Sequence, residues 1–256
     1  MTNKKHPNGL MILFFTEMWE RFGFYLMLGI FMLYMIASKN GQKPGMGYPY
    51  EIATDIYGSY LALVYLTPFI GGLLADRILG YRLSITLGGL FMAAGYFGLS
   101  IYNENIFYIS LLLIIIGNGL FKPNISTLVG KLYDNNPQYK QNKDAGFSIF
   151  YLGINLGAFI CNFVAAYFRN KFGWGWAFAA AGIGMLLGLI WFWLGQLTVK
   201  EIGKADKISP IHEGDMALSS VFTKLLLPAL IAGIIGWIIP GSIFGTNSND
   251  AFLFFS

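Results

Sequence analysis

The sequence predicts an all-α polytopic membrane protein with its N-terminus in the cytoplasm, and three observations carry that prediction. Only 12% of the residues are charged and 55% are hydrophobic, whereas a soluble domain carries about 25% charge. Apolar runs long enough to cross a bilayer recur along the whole chain. The polar breaks between them are mostly short, and their cations fall mainly on alternate sides.

A spanning helix needs about 20 mostly apolar residues. Seven segments satisfy this: 10–37, 55–78, 82–102, 106–132, 146–168, 175–197 and 219–240. The longer polar breaks are 40–53, 133–145 and 198–217, none of them long enough to hold a soluble domain. Aromatic residues make up 17% of the chain, which suits lipid-facing surfaces and interfacial belts, and 32 glycines suit close helix packing.

With the N-terminus inside, the cytoplasmic segments hold Lys4, Lys5, Arg77, Arg82, Lys131, Lys140, Lys143, Lys200, Lys204, Lys207 and Lys224. The opposite side holds only Lys39, Lys43, Arg169 and Lys171. The excess of cations sets the orientation. No like-charge run marks a nucleic-acid partner. Cys161 is a single cysteine in an apolar stretch, so there is no disulfide framework. His6 and His212 sit in polar segments without a second ligand at metal spacing, and are read as solvated. No nucleophile elbow, phosphate loop or zinc motif is present, which argues against an enzyme. The Gly117-Asn118-Gly119 triplet lies inside an apolar span and reads as helix packing.

Away from the span ends, charged residues fall at Glu17, Glu20, Arg21 and Lys122. Such groups cost about 2.5–3.5 kcal/mol each on insertion scales and so face a bundle interior or water. Glu17, Glu20 and Arg21 stand at i, i+3 and i+4, on one face of a helix. This spacing predicts a direct Arg21–Glu17 pair, with the Glu20 carboxylate to spare. The trio forms either a proton site or a static ion-pair staple. Lys122 precedes Pro123, which removes the N–H that Gly119 would use and predicts a bend. An ammonium at that depth requires an anion: Glu17, Glu20 or a substrate carboxylate. The alternative is a lysine snorkelling to the cytoplasmic surface.

These residues spell a family pattern. Glu17-Met18-Trp19-Glu20-Arg21-Phe22 resembles the E-x-x-E-R-F signature of the proton-dependent oligopeptide transporters, a branch of the major facilitator superfamily. Residues 71–82, Gly-Gly-Leu-Leu-Ala-Asp-Arg-Ile-Leu-Gly-Tyr-Arg, resemble the loop between that family's second and third spans. Gly119-Leu120-Phe121-Lys122-Pro123-Asn124 is similar to its fourth-span motif, and Phe150-Tyr151-Leu152-Gly153-Ile154-Asn155-Leu156-Gly157 to its F-Y-x-x-I-N-x-G signature.

The resemblance implies a major facilitator-type fold: a six-helix transmembrane bundle over 1–198, a cytoplasmic linker over 199–218, and a further transmembrane or accessory helix with the start of the next over 219–256. It implies a secondary active transporter of a bacterial inner membrane, importing di- or tripeptides by proton symport through alternating access, with the proton as coupling ion and no cofactor. Glu17, Glu20, Arg21 and Lys122 would couple protons. Tyr25, Tyr65, Lys122 and Asn155 would bind substrate, and Asp76, Arg77 and Arg82 would gate. The implied partners are the peptide, the bilayer and a C-terminal bundle that the chain does not contain. Two departures stand out: the family's E-R-F-x-Y-Y-G-x-R becomes a stretch with Phe24 for the first Tyr and Leu28 for the last Arg. Leu28 motivates an alternative cargo, another small anion. The short apolar tail 251–256 motivates a non-transporting half-bundle as a second alternative.

Overall fold

The computed structural model describes residues 6–198 and, beyond them, positions 220, 223, 224, 227 and 228. The expected seventh span, 219–240, and the expected linker, 199–218, therefore lie almost wholly outside the described residues, as does His212. The described residues form six long helices and no strand: α1 (Gly9–Ile36), α2 (Tyr50–Leu74), α3 (Tyr81–Leu99), α4 (Glu104–Asp134), α5 (Lys143–Phe172) and α6 (Trp174–Thr198). All six are long and apolar enough to cross a membrane.

The helix ends correct the sequence reading in an instructive way. α2 begins at Tyr50, five residues before the expected 55, and α5 begins at Lys143 rather than 146. Hydropathy marks only the apolar stretch, whereas these helices begin in polar sequence before it, where Glu51 and Asp144 favour the positive ends of their helix dipoles. Asn103 caps α4 conventionally, its side chain accepting from the Ile106 N–H at 3.1 Å. Gly173 at φ 103° closes α5, and Gly80 at φ 74° separates α2 from α3, conformations that other residues avoid. Just before Gly80, α2 loosens into a π-helical turn, Ala75–Leu79.

Glycine seams set the packing. α1 lies against α5 and α6, α3 against α4 and α6, and α2 against α4. A β-carbon on Gly157 would collide with the Met18 carbonyl oxygen, and one on Gly188 would meet Trp19 Cβ at 3.0 Å, so α5 and α6 both approach the α1 backbone closely. Gly88 and Gly117 do the same for α3 and α4: a β-carbon on Gly88 would stand 2.6 Å from the Gly117 oxygen. Helices in lipid gain their association from such close contact, since apolar surface alone gives no preference for protein over lipid.

Two prolines lie inside helices, Pro68 in α2 and Pro123 in α4. Each lacks the N–H that would serve the carbonyl four residues earlier. The bend expected at Pro123 does not interrupt α4, which is helical from Glu104 to Asp134. The freed Gly119 carbonyl is instead covered by α2, whose Gly71 packs directly onto it. The carbonyl freed by Pro68, on Val64, accepts from Asn118 Nδ2 at 3.1 Å. Membrane helices tolerate proline through such repairs by neighbours.

Candidate functional site

Burial divides the helices into two groups. In their most apolar stretches α1, α3, α4 and α6 are 50–61% buried, whereas α2 and α5 are only 22% and 28% buried. One open wall of the bundle is thus built mainly by α2 and α5, and the sealed interior by α1.

The sealed interior holds the carboxylate–arginine cluster. Glu17, Glu20 and Arg21 are 2%, 0% and 3% exposed. Arg21 grips Glu20 with both edges of its fork: Nε donates to Oε2, and Nη2 donates to Oε1 at 2.6 Å. Glu17 Oε1 stands 3.2 Å from the same Nε, and Glu17 Oε2 has no hydrogen-bond partner. The expected Arg21–Glu17 pair is present, but Glu20, expected to be spare, holds the guanidinium more closely, and the spare oxygen belongs to Glu17. A planar guanidinium gains most from a bidentate carboxylate, and the flexible Glu20 side chain reaches that geometry from the adjacent position. Glu17 shares the Nε that Glu20 also holds, and keeps the free oxygen.

Phe24 also belongs to this interior. Its ring is buried and lies 4.9 Å beneath the Arg21 guanidinium. The phenylalanine that stands where the family pattern has a tyrosine therefore serves as a cation–π floor for the arginine. Asn118 of α4 completes the cluster. Its Oδ1 lies 3.5 Å from Arg21 Nη2, while its Nδ2 serves Val64. Sequence reasoning took Asn118 for packing. The available signal was an amide in an apolar span, four residues before Lys122.

Lys122 stands apart from these carboxylates. It is half-buried, and among the described residues no carboxylate lies within ion-pair distance of it. Its Nζ sits 5.5 Å over the ring of Tyr65, which is 72% exposed on α2. The lysine is thus held toward the open wall rather than snorkelling along α4. Asn155 is exposed on α5, directly before the seam formed by Gly157. Tyr25 is half-buried and, with Leu28, Gly29, Tyr57, Ala158 and Asn162, lines a recess of about 320 Å³. Tyr57 and Asn162 were not anticipated. Leu28 stands in that recess, so the lining there is uncharged. A larger recess, about 460 Å³, lies at the far end of α1 around Tyr34, Lys43 and Trp174, away from the cluster.

The three residues expected to gate occupy the π-helical turn and the start of α3. Asp76 Oδ1 accepts from Tyr81 OH at 2.6 Å, and Arg82 Nε donates to Gln196 Oε1 of α6 at 2.5 Å. Lys131 of α4 lies 4.2 Å over the Tyr81 ring. The turn is therefore tied into its own bundle. Arg77 is half-buried in the same turn. At the same end, His6 is not simply solvated: its Nδ1 lies 2.7 Å from Tyr133 OH. Cys161 is buried. No group of His, Cys, Asp and Glu suited to a metal occurs among the described residues.

Residues 82–224 match the model of the POT family. The chain is 44% identical to an uncharacterized transporter, YclF, of Bacillus subtilis (strain 168), covering 80% of this chain and 40% of that one. It is 36% identical to a di-/tripeptide transporter of Lactococcus lactis subsp. cremoris, covering 91% of this chain and 46% of the relative. A crystal structure of a peptide transporter POT in complex with sulfate superposes with a TM-score of 0.73 at 36% identity, over 93% of this chain and 47% of that one. A POT family transporter in complex with 5-aminolevulinic acid gives 0.74 at 32% identity, over 98% and 52%. The chain spans about half the length of the curated relatives it matches. These relatives are transporters, not enzymes, and with six membrane-length helices, four sequence motifs in order and a matching family model, this chain belongs to the POT family.

Proposed function

We propose that this chain forms the proton-handling half of a secondary active transporter that imports di- or tripeptides by proton symport across a bacterial inner membrane. The second half of the path is a further bundle, which closes against the open wall of α2 and α5. The observation that carries this reading is the contrast in charge placement. Two carboxylates and one arginine are sealed inside the bundle, while one cation, Lys122, is turned toward its open side.

Two carboxylates around one guanidinium do not share it equally. Glu20 holds Arg21 bidentately, so Glu17, with an oxygen unpartnered, is the member better suited to take up a proton. Lys122 supplies the charge that a peptide carboxylate needs. Tyr25, Tyr65 and Asn155 line the same open side for the rest of the peptide. Asp76, Arg77 and Arg82, at the cytoplasmic end, act as the gate, exchanging their present partners for others as the bundles rock. The proton is the coupling ion, and no cofactor enters.

The test uses the complete two-bundle transporter in proteoliposomes. Uptake of labelled dialanine should rise with an inward proton gradient, and Lys122→Ala should abolish accumulation. Accumulation independent of the gradient would remove proton symport. The departure from the family pattern at Leu28 motivates one competing cargo class, small anions other than peptides, held by Lys122. Displacement of labelled dialanine by such anions at lower concentrations than by unlabelled dipeptides would establish that alternative.

A further inference from the structure

We propose that Asn118 is a positioning residue for proton coupling, tying Arg21 of the sealed cluster to the stretch of α2 that faces the cargo. The inference rests on the transport reading above and adds to it the connection between its two halves.

The placement begins with an amide that has no exposed surface, in a part of the bundle surrounded by apolar helices. A buried amide is costly unless both its ends are bonded. Asn118 bonds both, and its two partners belong to different helices. On one side Nδ2 donates to Val64 O at 3.1 Å, replacing the backbone donor that Pro68 lacks. On the other, Oδ1 faces Arg21 Nη2 at 3.5 Å, a long contact and, among the described residues, the one hydrogen bond Arg21 makes with α4. The backbone that carries the amide is fixed from both flanks. Gly117 packs on α3, where a β-carbon would lie 2.5 Å from Gly88 O, and Gly119 packs on α2, where one would lie 2.7 Å from Thr67 Cβ. The seam continues with Thr67 Oγ1 donating to Ile115 O at 3.1 Å and Asn124 Nδ2 donating to Gly71 O at 3.2 Å.

The chemistry of the three partners gives the arrangement its purpose. The hold of Glu17 and Glu20 on Arg21 weakens when either takes a proton, because a neutral acid attracts the guanidinium less than a carboxylate does. The hold of an amide does not change, since it does not titrate. Proton uptake therefore shifts the balance of forces on Arg21 toward Asn118. The other end of that amide is anchored on Val64, and the next residue, Tyr65, underlies Lys122. Lys122 itself is four residues beyond Asn118, on the same face of α4. A change at the carboxylates thus reaches the cargo-facing cation through one side chain, beside the direct electrostatic attraction that both carboxylates exert on Lys122 without an ion pair.

The experiment compares two assays on the complete transporter in proteoliposomes with labelled dialanine: accumulation driven by an inward proton gradient, and exchange against internal unlabelled dialanine at equal pH. Exchange needs the path but no net proton movement. In Asn118→Leu, accumulation should fall at least about fivefold, the low end for a coupling between sites, while exchange is kept. Asn118→Leu leaves Val64 O without a donor, so it is paired with Asn118→Leu/Pro68→Ala, which returns a backbone N–H to that carbonyl. Exchange without accumulation in the double variant supports the proposal even where the single variant fails to fold. Wild-type accumulation in Asn118→Leu overturns it. So does recovery of both activities in the double variant, which would make Asn118 only a plug for the proline-freed carbonyl, and so does loss of both activities in both variants. A wild-type transporter that exchanges dialanine but never accumulates it defeats the symport reading itself, an outcome separate from the others.

Discussion

The sealed side of the bundle and its open side follow opposite rules. The Arg21 guanidinium is enclosed by partners: a bidentate Glu20, a second carboxylate, the amide of Asn118 and the ring of Phe24, with only Glu17 Oε2 left spare among the two carboxylates. Lys122 makes no ion pair among the described residues, and its ammonium lies over an exposed tyrosine ring. The difference teaches how a bundle in lipid carries charge. A group that is to stay must be enclosed by partners from several helices, because each uncompensated charge costs several kcal/mol there. A group that is to meet a changing partner must be left short of one.

The largest effect expected from breaking this contrast comes from the sealed side. Arg21→Leu leaves two buried carboxylates without their cation. Removing one partner of a buried pair costs about 3–5 kcal/mol, a large fraction of the stability of any domain. The variant should unfold in detergent well below the wild-type temperature, and its transport should vanish for that reason. Lys122→Ala removes a cation without orphaning a described carboxylate, so its melting temperature should stay near wild type while accumulation is lost. Melting curves of the two purified variants separate the sides. Equal destabilisation would mean that Lys122 is as enclosed as Arg21.

How much of this was legible in the sequence depended on the range of the interaction. Glu17, Glu20 and Arg21 announced themselves as charges in an apolar run, and their shared face followed from helical spacing. Which carboxylate fills the guanidinium fork did not follow, because that is decided by side-chain rotamers rather than register. The six described spans were recovered from hydropathy, but the starts of α2 and α5 were placed late because those helices begin in polar sequence before the apolar stretch. Lys122 was read as an ammonium that requires an anion, Glu17, Glu20 or a substrate carboxylate. Its actual neighbour, Tyr65, lies 57 positions earlier, on a helix whose rotation no local pattern fixes. Asn118 was missed for the same reason. Its meaning lies in a carbonyl of α2 freed by a proline that a pass along α4 cannot see.

A smaller effect sharpens the comparison from the open side. Leu28 lines the recess with Tyr25 and Tyr57 where the family pattern has arginine. Leu28→Arg would add a second cation to the wall that holds Lys122. Under the peptide reading, the new guanidinium should strengthen binding of the free peptide carboxylate. A gain of about 1–2 kcal/mol is in the range of a hydrogen bond to a charged group, and should appear as a lower half-saturating concentration of dialanine. The amide of dialanine, which lacks that carboxylate, should gain nothing. If both ligands gain equally, the recess does not hold the carboxylate end.

The smallest effect concerns the ring beneath Lys122. Cation–π contacts at exposed sites are worth about 0.5–1 kcal/mol, and the 5.5 Å separation here is near the outer limit for one. Tyr65→Phe keeps the ring and removes only the hydroxyl, while Tyr65→Leu removes the ring face. If the ring merely orients the ammonium, Phe should behave as wild type and Leu should raise the half-saturating concentration of dialanine by about two- to fivefold, the equivalent of that energy. If the hydroxyl touches the peptide, Phe should instead share the loss seen in Leu. Because the effect is small and Tyr65 is mostly exposed, neither variant should alter the melting temperature, so a shift in binding can be assigned to the open wall. The same pair made in the Asn118→Leu background tests whether the two sides are joined: independent sites add their effects, whereas a shared connection through Val64 makes the second change smaller than the first.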